Sequence, residues 1–184
     1  MILTSAALIT SLYLLASIIC FGHKLPAYSH VKDTISELGE TGSPFEKAVG
    51  YGVFLPIGFL LMIISAVLYF QDPQNDLHQN LSGLTACTGM GYAIAVFFPC
   101  DQGSPFSGST RQQIHNLGGF IEYVGGSYFL FQASEAIPFL STIGYTIIIC
   151  TIGISITKIA RGLIQRGAEV ALFGAMIYIS FWLN

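Results

Sequence analysis

Apolar residues gather along the chain in six long runs, with polar residues collected between them. The runs cover roughly 2–22, 48–70, 79–99, 113–133, 137–157 and 167–183. A helix that crosses a bilayer needs about 20 predominantly apolar residues, so each run has the length of a membrane span. The first run has no basic leader and no A-x-A-like cleavage site, so it reads as a retained span rather than a signal peptide. Ser43-Pro44-Phe45-Glu46 reads as a capping box with Pro at the first helical position of the second run. Ser109-Thr110-Arg111-Gln112 repeats the Ser-x-x-Gln spacing before the fourth. Pro56 predicts a kink in the second span. The second and fourth loops are short, which predicts two tight antiparallel hairpins. The expected fold is an all-α polytopic membrane protein: one domain, 1–184, holding a bundle of six transmembrane helices.

Small residues predict where those helices approach closely. Ser82, Ala86, Gly89 and Ala93 share one face of the third run, and Gly118, Gly119, Gly125 and Gly126 punctuate the fourth. Without a hydrophobic force between helices in lipid, such positions let backbones meet. They would also leave room for a ligand beside a helix.

Composition agrees with a lipid solvent. Charged residues are 9% of the chain, against roughly 25% in soluble domains, which leaves too few polar groups to cover a soluble globule. The cysteines Cys20, Cys87, Cys100 and Cys150 form no C-x-x-C pair and read as small apolar side chains. The net charge is −3, and no basic run is present, so a nucleic-acid partner is not expected. Membrane lipids are the expected partners.

The few charges also assign sides. All 7 Lys and Arg fall in three alternate loops: Lys24, Lys32 and Lys47 in 23–47, Arg111 in 100–112, and Lys158, Arg161 and Arg166 in 158–166. The loops on the other side carry Asp72, Asp76 and Glu135 instead. The positive-inside rule makes the basic side cytoplasmic, with both termini outside the cell membrane.

Candidate chemistry gathers on that basic side. In the first loop, His30, Asp33 and Glu37 are spaced i, i+3 and i+7, which would put them on one face of a helix. The third loop supplies Asp101, with Cys100 beside it, and His115-Asn116 opens the fourth span. Glu122 follows on the same helical face as His115, about 10 residues or 15 Å into the helix. A carboxylate at that depth costs several kcal/mol, so it is expected to face the bundle interior, a partner or a water-filled cavity. His30, His115 and Asp101 form a candidate donor set for a divalent metal. The same groups suit acid and base work, with Asp101 orienting His115 and Ser36 or Ser29 as nucleophile. Asp33, Glu37 and Asn116 are candidate ligand-binding positions. No H-E-x-x-H or G-x-S-x-G motif is present to decide between these chemistries.

Three segments together, YSHVKDTISELG at 28–39, FFPCDQG at 97–103 and IHNLGG at 114–119, resemble a bacterial and archaeal six-span membrane family known as domain of unknown function 998. The resemblance implies a six-span helical protein and no particular activity. It implies importance for Asp33, Ser36, Glu37, Gly39, Pro99, Asp101, Gly103, His115 and Asn116, and adds Gly103 to the candidate ligand-binding positions. Glu122 lies outside those segments and is singled out by depth alone.

Three kinds of function fit these residues. One is an intramembrane enzyme, such as a hydrolase, acting on a lipid or lipid-linked headgroup at the cytoplasmic leaflet. Its catalytic set would be Asp101, His115, Ser36 and Glu122. Another is a carrier or binding protein for a small solute, lipid or proton, using Glu122. The third is an assembly protein whose polar groups only lock helices together.

Overall fold

The computed structural model describes residues 2–183 as helices joined by short turns and loops. The described residues form six helical rods and no strand. These are α1 (Ile2–Lys24), α2 (Glu46–Gln71), α3 (Asp76–Phe97), α4 (110–133), α5 (Phe139–Ile156) and α6 (Arg161–Trp182). By length and composition α1, α2 and α5 can each cross a membrane. The other three carry more polar residues, and these turn inward. Thr85, Thr88, Gln112, Glu122, Ser127 and Glu169 are all buried, while Phe59, Phe70, Ile149, Ile156, Val170 and Phe181 face outward. A soluble protein rarely exposes a continuous apolar surface. In lipid this inside-out arrangement is the stable one, because tails solvate the apolar side chains and the polar ones must find partners within the bundle.

The tightest interface joins α2 to α3. Ser65 and Ser82 meet at 3.1 Å between hydroxyls, and the Ser82 hydroxyl donates to the Ser65 carbonyl at 2.9 Å. Two turns further along, Gly58 and Gly89 bring backbone against backbone: a methyl at either would lie within 3.0 Å of the other's carbonyl oxygen. The small-residue face read from the third run is this contact.

Pro56 acts on α2 one turn upstream. It has no N–H to give the Gly52 carbonyl, four residues before it. The helix widens into a π-turn over Gly50–Phe54, and the Tyr13 hydroxyl of α1 donates to the freed carbonyl. A second π-turn, Ile121–Gly125, widens α4. Both helix starts differ in detail from a capping box. Ser109 caps α4, accepting from the Gln112 N–H at 3.2 Å, but the Gln112 side chain does not return to Ser109. At α2 the Glu46 carboxylate reaches back to the Gly42 N–H, one residue beyond Ser43.

The three basic loops knit together at one end of the bundle. Gly162 and Leu163 at the start of α6 donate to the carbonyls of Lys32 and Val31. Thr41 donates to the Cys100 carbonyl at 2.9 Å, and Gly103 to the Glu40 carboxylate at 2.6 Å. At the other end, Thr4 of α1 donates to the Ser180 carbonyl of α6. The segment carrying His30, Asp33 and Glu37 is not the continuous helix that its spacing predicts. It is a run of turns followed by a 3₁₀ turn, Ser36–Gly39. The side chains of Ser29, Asp33 and Glu37 bond local backbone and so compete with helical hydrogen bonds. The Asp33 carboxylate accepts the Ser29 N–H at 2.6 Å, and the Glu37 carboxylate accepts the Thr34 N–H at 3.0 Å.

Candidate functional site

A cavity of about 790 Å³ opens at the knitted end and runs down between α4, α5 and α6. Asp33, Ser36, Glu37, Gly103, His115, Asn116 and Glu122 all line it. Seven of the residues singled out in the sequence therefore share one wall-to-wall space. His30 and Asp101 do not line it.

The pair that combines a nucleophile with a base is Ser36 and His115. Ser36 opens the 3₁₀ turn, and His115 lies in the second turn of α4. The His115 Nδ1 is 2.9 Å from the Phe98 carbonyl, and its Nε2 is 3.1 Å from the Ser36 Oγ. A carbonyl only accepts, so Nδ1 carries the proton in the neutral ring. Nε2 is then an acceptor, and the Ser36 hydroxyl donates to it. This is the polarity of a nucleophile paired with a general base, with a backbone carbonyl fixing the tautomer. The Ser36 carbonyl is held from behind by the Cys100 thiol at 3.4 Å. Burial pushes that thiol up to about 12, so Cys100 is a structural donor and not a reactive thiolate.

Arg161, the first residue of α6, joins three segments. Its guanidinium donates to the Glu37 carboxylate, to the Gly103 carbonyl at 2.8 Å and to the Ser104 carbonyl at 3.0 Å. A cation at a helix N-terminus opposes the helix dipole, so its place there reflects what it holds. Gly103 and Ser104 both have positive φ, 72° and 39°, which turns their carbonyls toward Arg161. Asn116 fixes the loop from the other side, donating to the Phe106 carbonyl at 2.9 Å and accepting from Gln112 at 2.7 Å. The exposed Lys32 and Lys158 line the mouth with Arg161, and neither has an ion-pair partner among the described residues. The wall also includes the apolar side chains of Phe120, Ile154 and Ile156.

Asp101 does not orient His115. Its carboxylate pairs with Arg111 at 2.7 Å and accepts from the hydroxyl and N–H of Ser109, both at 2.8 Å. Those bonds hold its carboxyl down at about 2, the Arg111 guanidinium contributing most. The depressed value means the carboxylate stays charged, and the staple intact, as pH falls through the ordinary carboxylate range toward 2. Asp101→Asn is expected to free Arg111 and to speed tryptic cleavage after it several-fold at neutral pH. An unchanged cleavage rate would show that the staple does not order this loop.

The metal set His30, His115 and Asp101 is not assembled. Among the described residues no three His, Cys, Asp or Glu side chains converge as a metal site. Each proposed donor is committed elsewhere. The His30 Nδ1 lies 3.1 Å from an Arg166 nitrogen, and burial together with that positive charge lowers its basicity. Arg166 also donates to the Tyr28 hydroxyl at 2.6 Å and to the His30 and Asp33 carbonyls. A second cation there would be repelled. Ser29, the other nucleophile candidate, is spent on its own turn, accepting from the Lys32 N–H.

Sequence reasoning missed one wall of the site, the inner face of α6. The last apolar run begins near 167, but α6 starts at Arg161. Glu169 therefore lies just over two turns inside the helix and is buried opposite Glu122, rather than at a span end. Gln165, on the same face, donates through its side chain to the Tyr123 hydroxyl and accepts from the Ile35 N–H. A charge count from the true helix start would have found Glu169, since few acids lie that far inside an apolar helix.

The chain belongs to the family described as protein of unknown function (DUF998), which matches residues 8–182. No curated protein and no solved structure matches it.

Proposed function

We propose that the chain is a multi-pass protein of the cell membrane and a serine hydrolase acting on an ester-linked lipid at the cytoplasmic leaflet. All six helices cross the bilayer, with the basic loops inside. The observation that carries the reading is the Ser36 hydroxyl 3.1 Å from a His115 nitrogen whose partner is fixed by the Phe98 carbonyl. Ser36 attacks the ester carbonyl and passes its proton to His115 Nε2. The alcohol leaves with that proton, and water, deprotonated in turn by His115, releases the acid. Lys32, Lys158 and Arg161 give the mouth a positive field that suits an anionic headgroup. The apolar wall at Phe120, Ile154 and Ile156 suits the acyl chain. No metal enters this chemistry.

A fluorophosphonate probe, which phosphonylates activated serines, tests it on protein in mild detergent. Mass spectrometry is expected to find the adduct on Ser36, and Ser36→Ala to abolish it. Labelling elsewhere, or none while the protein remains folded, would overturn the hydrolase reading.

A further inference from the structure

Two carboxylates lie deep in the bundle with no basic side chain beside them. Glu122 comes from the π-turn of α4, and Glu169 from α6; they are 7% and 6% exposed. Glu169 is well held. The Tyr92 hydroxyl of α3 donates to one of its oxygens at 3.1 Å, and the Tyr123 hydroxyl of α4 to the other at 2.7 Å. Glu122 is not held: its buried Oε1 has no hydrogen-bond partner. It sits against Gly91 of α3, where a methyl group would lie 2.5 Å from its other oxygen.

Both carboxylates line a chamber of about 30 Å³ behind Ser36. That is room for one water-sized species. Glu122 also stands on the wall of the large cavity, so it borders both spaces. The chamber's other walls come from Ile35 and Ser36, Phe54 of α2, Tyr92 of α3 and Gln165 of α6, and no Lys or Arg is among them. The titratable neighbours are the phenols of Tyr92 and Tyr123 and the thiol of Cys87 on α3, none of which supplies a positive charge. Removing two anions from water without a counter-charge costs several kcal/mol each. Two phenol donors offset part of that for Glu169, but nothing does so for Glu122.

We propose that Glu122 and Glu169 form an internal site for one positive charge, taken from the cytoplasmic cavity as an exchangeable proton or a small alkali cation such as Na⁺. The donors are all hard oxygens, which suit either species. Ser36 is a wall shared with the hydrolytic pair, but the proposed charge is held by Glu122 and Glu169 and does not depend on that pair's chemistry.

Thermal unfolding in detergent tests it, from mildly acidic to alkaline pH. At fixed ionic strength Na⁺ is exchanged for N-methylglucamine, which is too large for the chamber. In N-methylglucamine the wild-type midpoint is expected to fall by several degrees as pH rises. If Na⁺ restores it saturably at alkaline pH, the charge is a cation; if Na⁺ has no effect, it is a proton. Glu122→Gln, nearly isosteric and uncharged, is expected to lose both responses, whereas Glu135→Gln, at an exposed carboxylate that lines neither space, keeps them. Infrared spectra of the wild type give a second reading that needs no variant. A buried carboxylic-acid carbonyl band that disappears at alkaline pH or on adding Na⁺ supports the site. A midpoint indifferent to pH and Na⁺ with no such band, or a Glu122→Gln protein that responds like the wild type, would overturn it.

Discussion

Arg161→Ala is expected to lower stability by about 3–5 kcal/mol, the usual cost of removing one partner from a buried ion pair, since both side chains here are mostly covered. For a chain of this length that is a fall of roughly 6–20 °C in the unfolding midpoint. The size follows from what is left behind. The Glu37 side chain is only 12% exposed, and without Arg161 its carboxylate keeps only Thr34 as donor. The Gly103 and Ser104 carbonyls, turned toward Arg161 by their positive φ, lose their donor as well. The start of α6 cannot shift to compensate, because a methyl group at Gly162 would already lie 2.1 Å from the Asp33 carbonyl oxygen. Arg161→Lys restores the charge but not the two-pronged reach, so it is expected to recover only part of the loss. Adding Glu37→Gln to Arg161→Ala removes the orphaned charge. The double variant should therefore be more stable than the sum of the two single losses by about 0.5–3 kcal/mol. An Arg161→Ala protein within 0.5 kcal/mol of wild type would mean that the three loops are held by their backbone contacts alone.

The all-helical bundle was legible because apolar runs of span length have few alternatives. Ser82 and Gly89 announced the α2–α3 contact for the same reason: small residues on one face have little other use in lipid. Legibility failed where the partner is distant in sequence. Spacing placed Asp33 and Glu37 on one helical face, yet local bonds to Ser29 and Thr34 broke that helix, and both residues still reached the cavity by another path. Asp101 looked like the orienter of His115, since no local rule says that Arg111 and Ser109 will engage both its oxygens. The Phe98 carbonyl that orients His115 is backbone, and residue type carries no sign of it. Glu169 was hidden by an error of six residues in one helix start.

His115→Ala is expected to slow fluorophosphonate labelling of Ser36, and any ester turnover, by about 10²–10⁴-fold, the range for loss of a positioned general base. The fold should survive. The side chain makes two hydrogen bonds, each worth about 0.5–1.5 kcal/mol, and it is half-buried at the cavity wall rather than packed in the core. Stability and rate therefore separate, which distinguishes a base from a helix lock. Only the neutral imidazole has a free electron pair at Nε2, so the wild-type rate should rise with pH through one ionisation that the variant lacks. Because the two groups act as a unit, combining His115→Ala with Ser36→Ala should cost little more than Ser36→Ala alone. If His115→Ala labels as fast as wild type, or only melts earlier, the Ser36–His115 contact is structural. The polar cluster would then serve to hold the basic loops together.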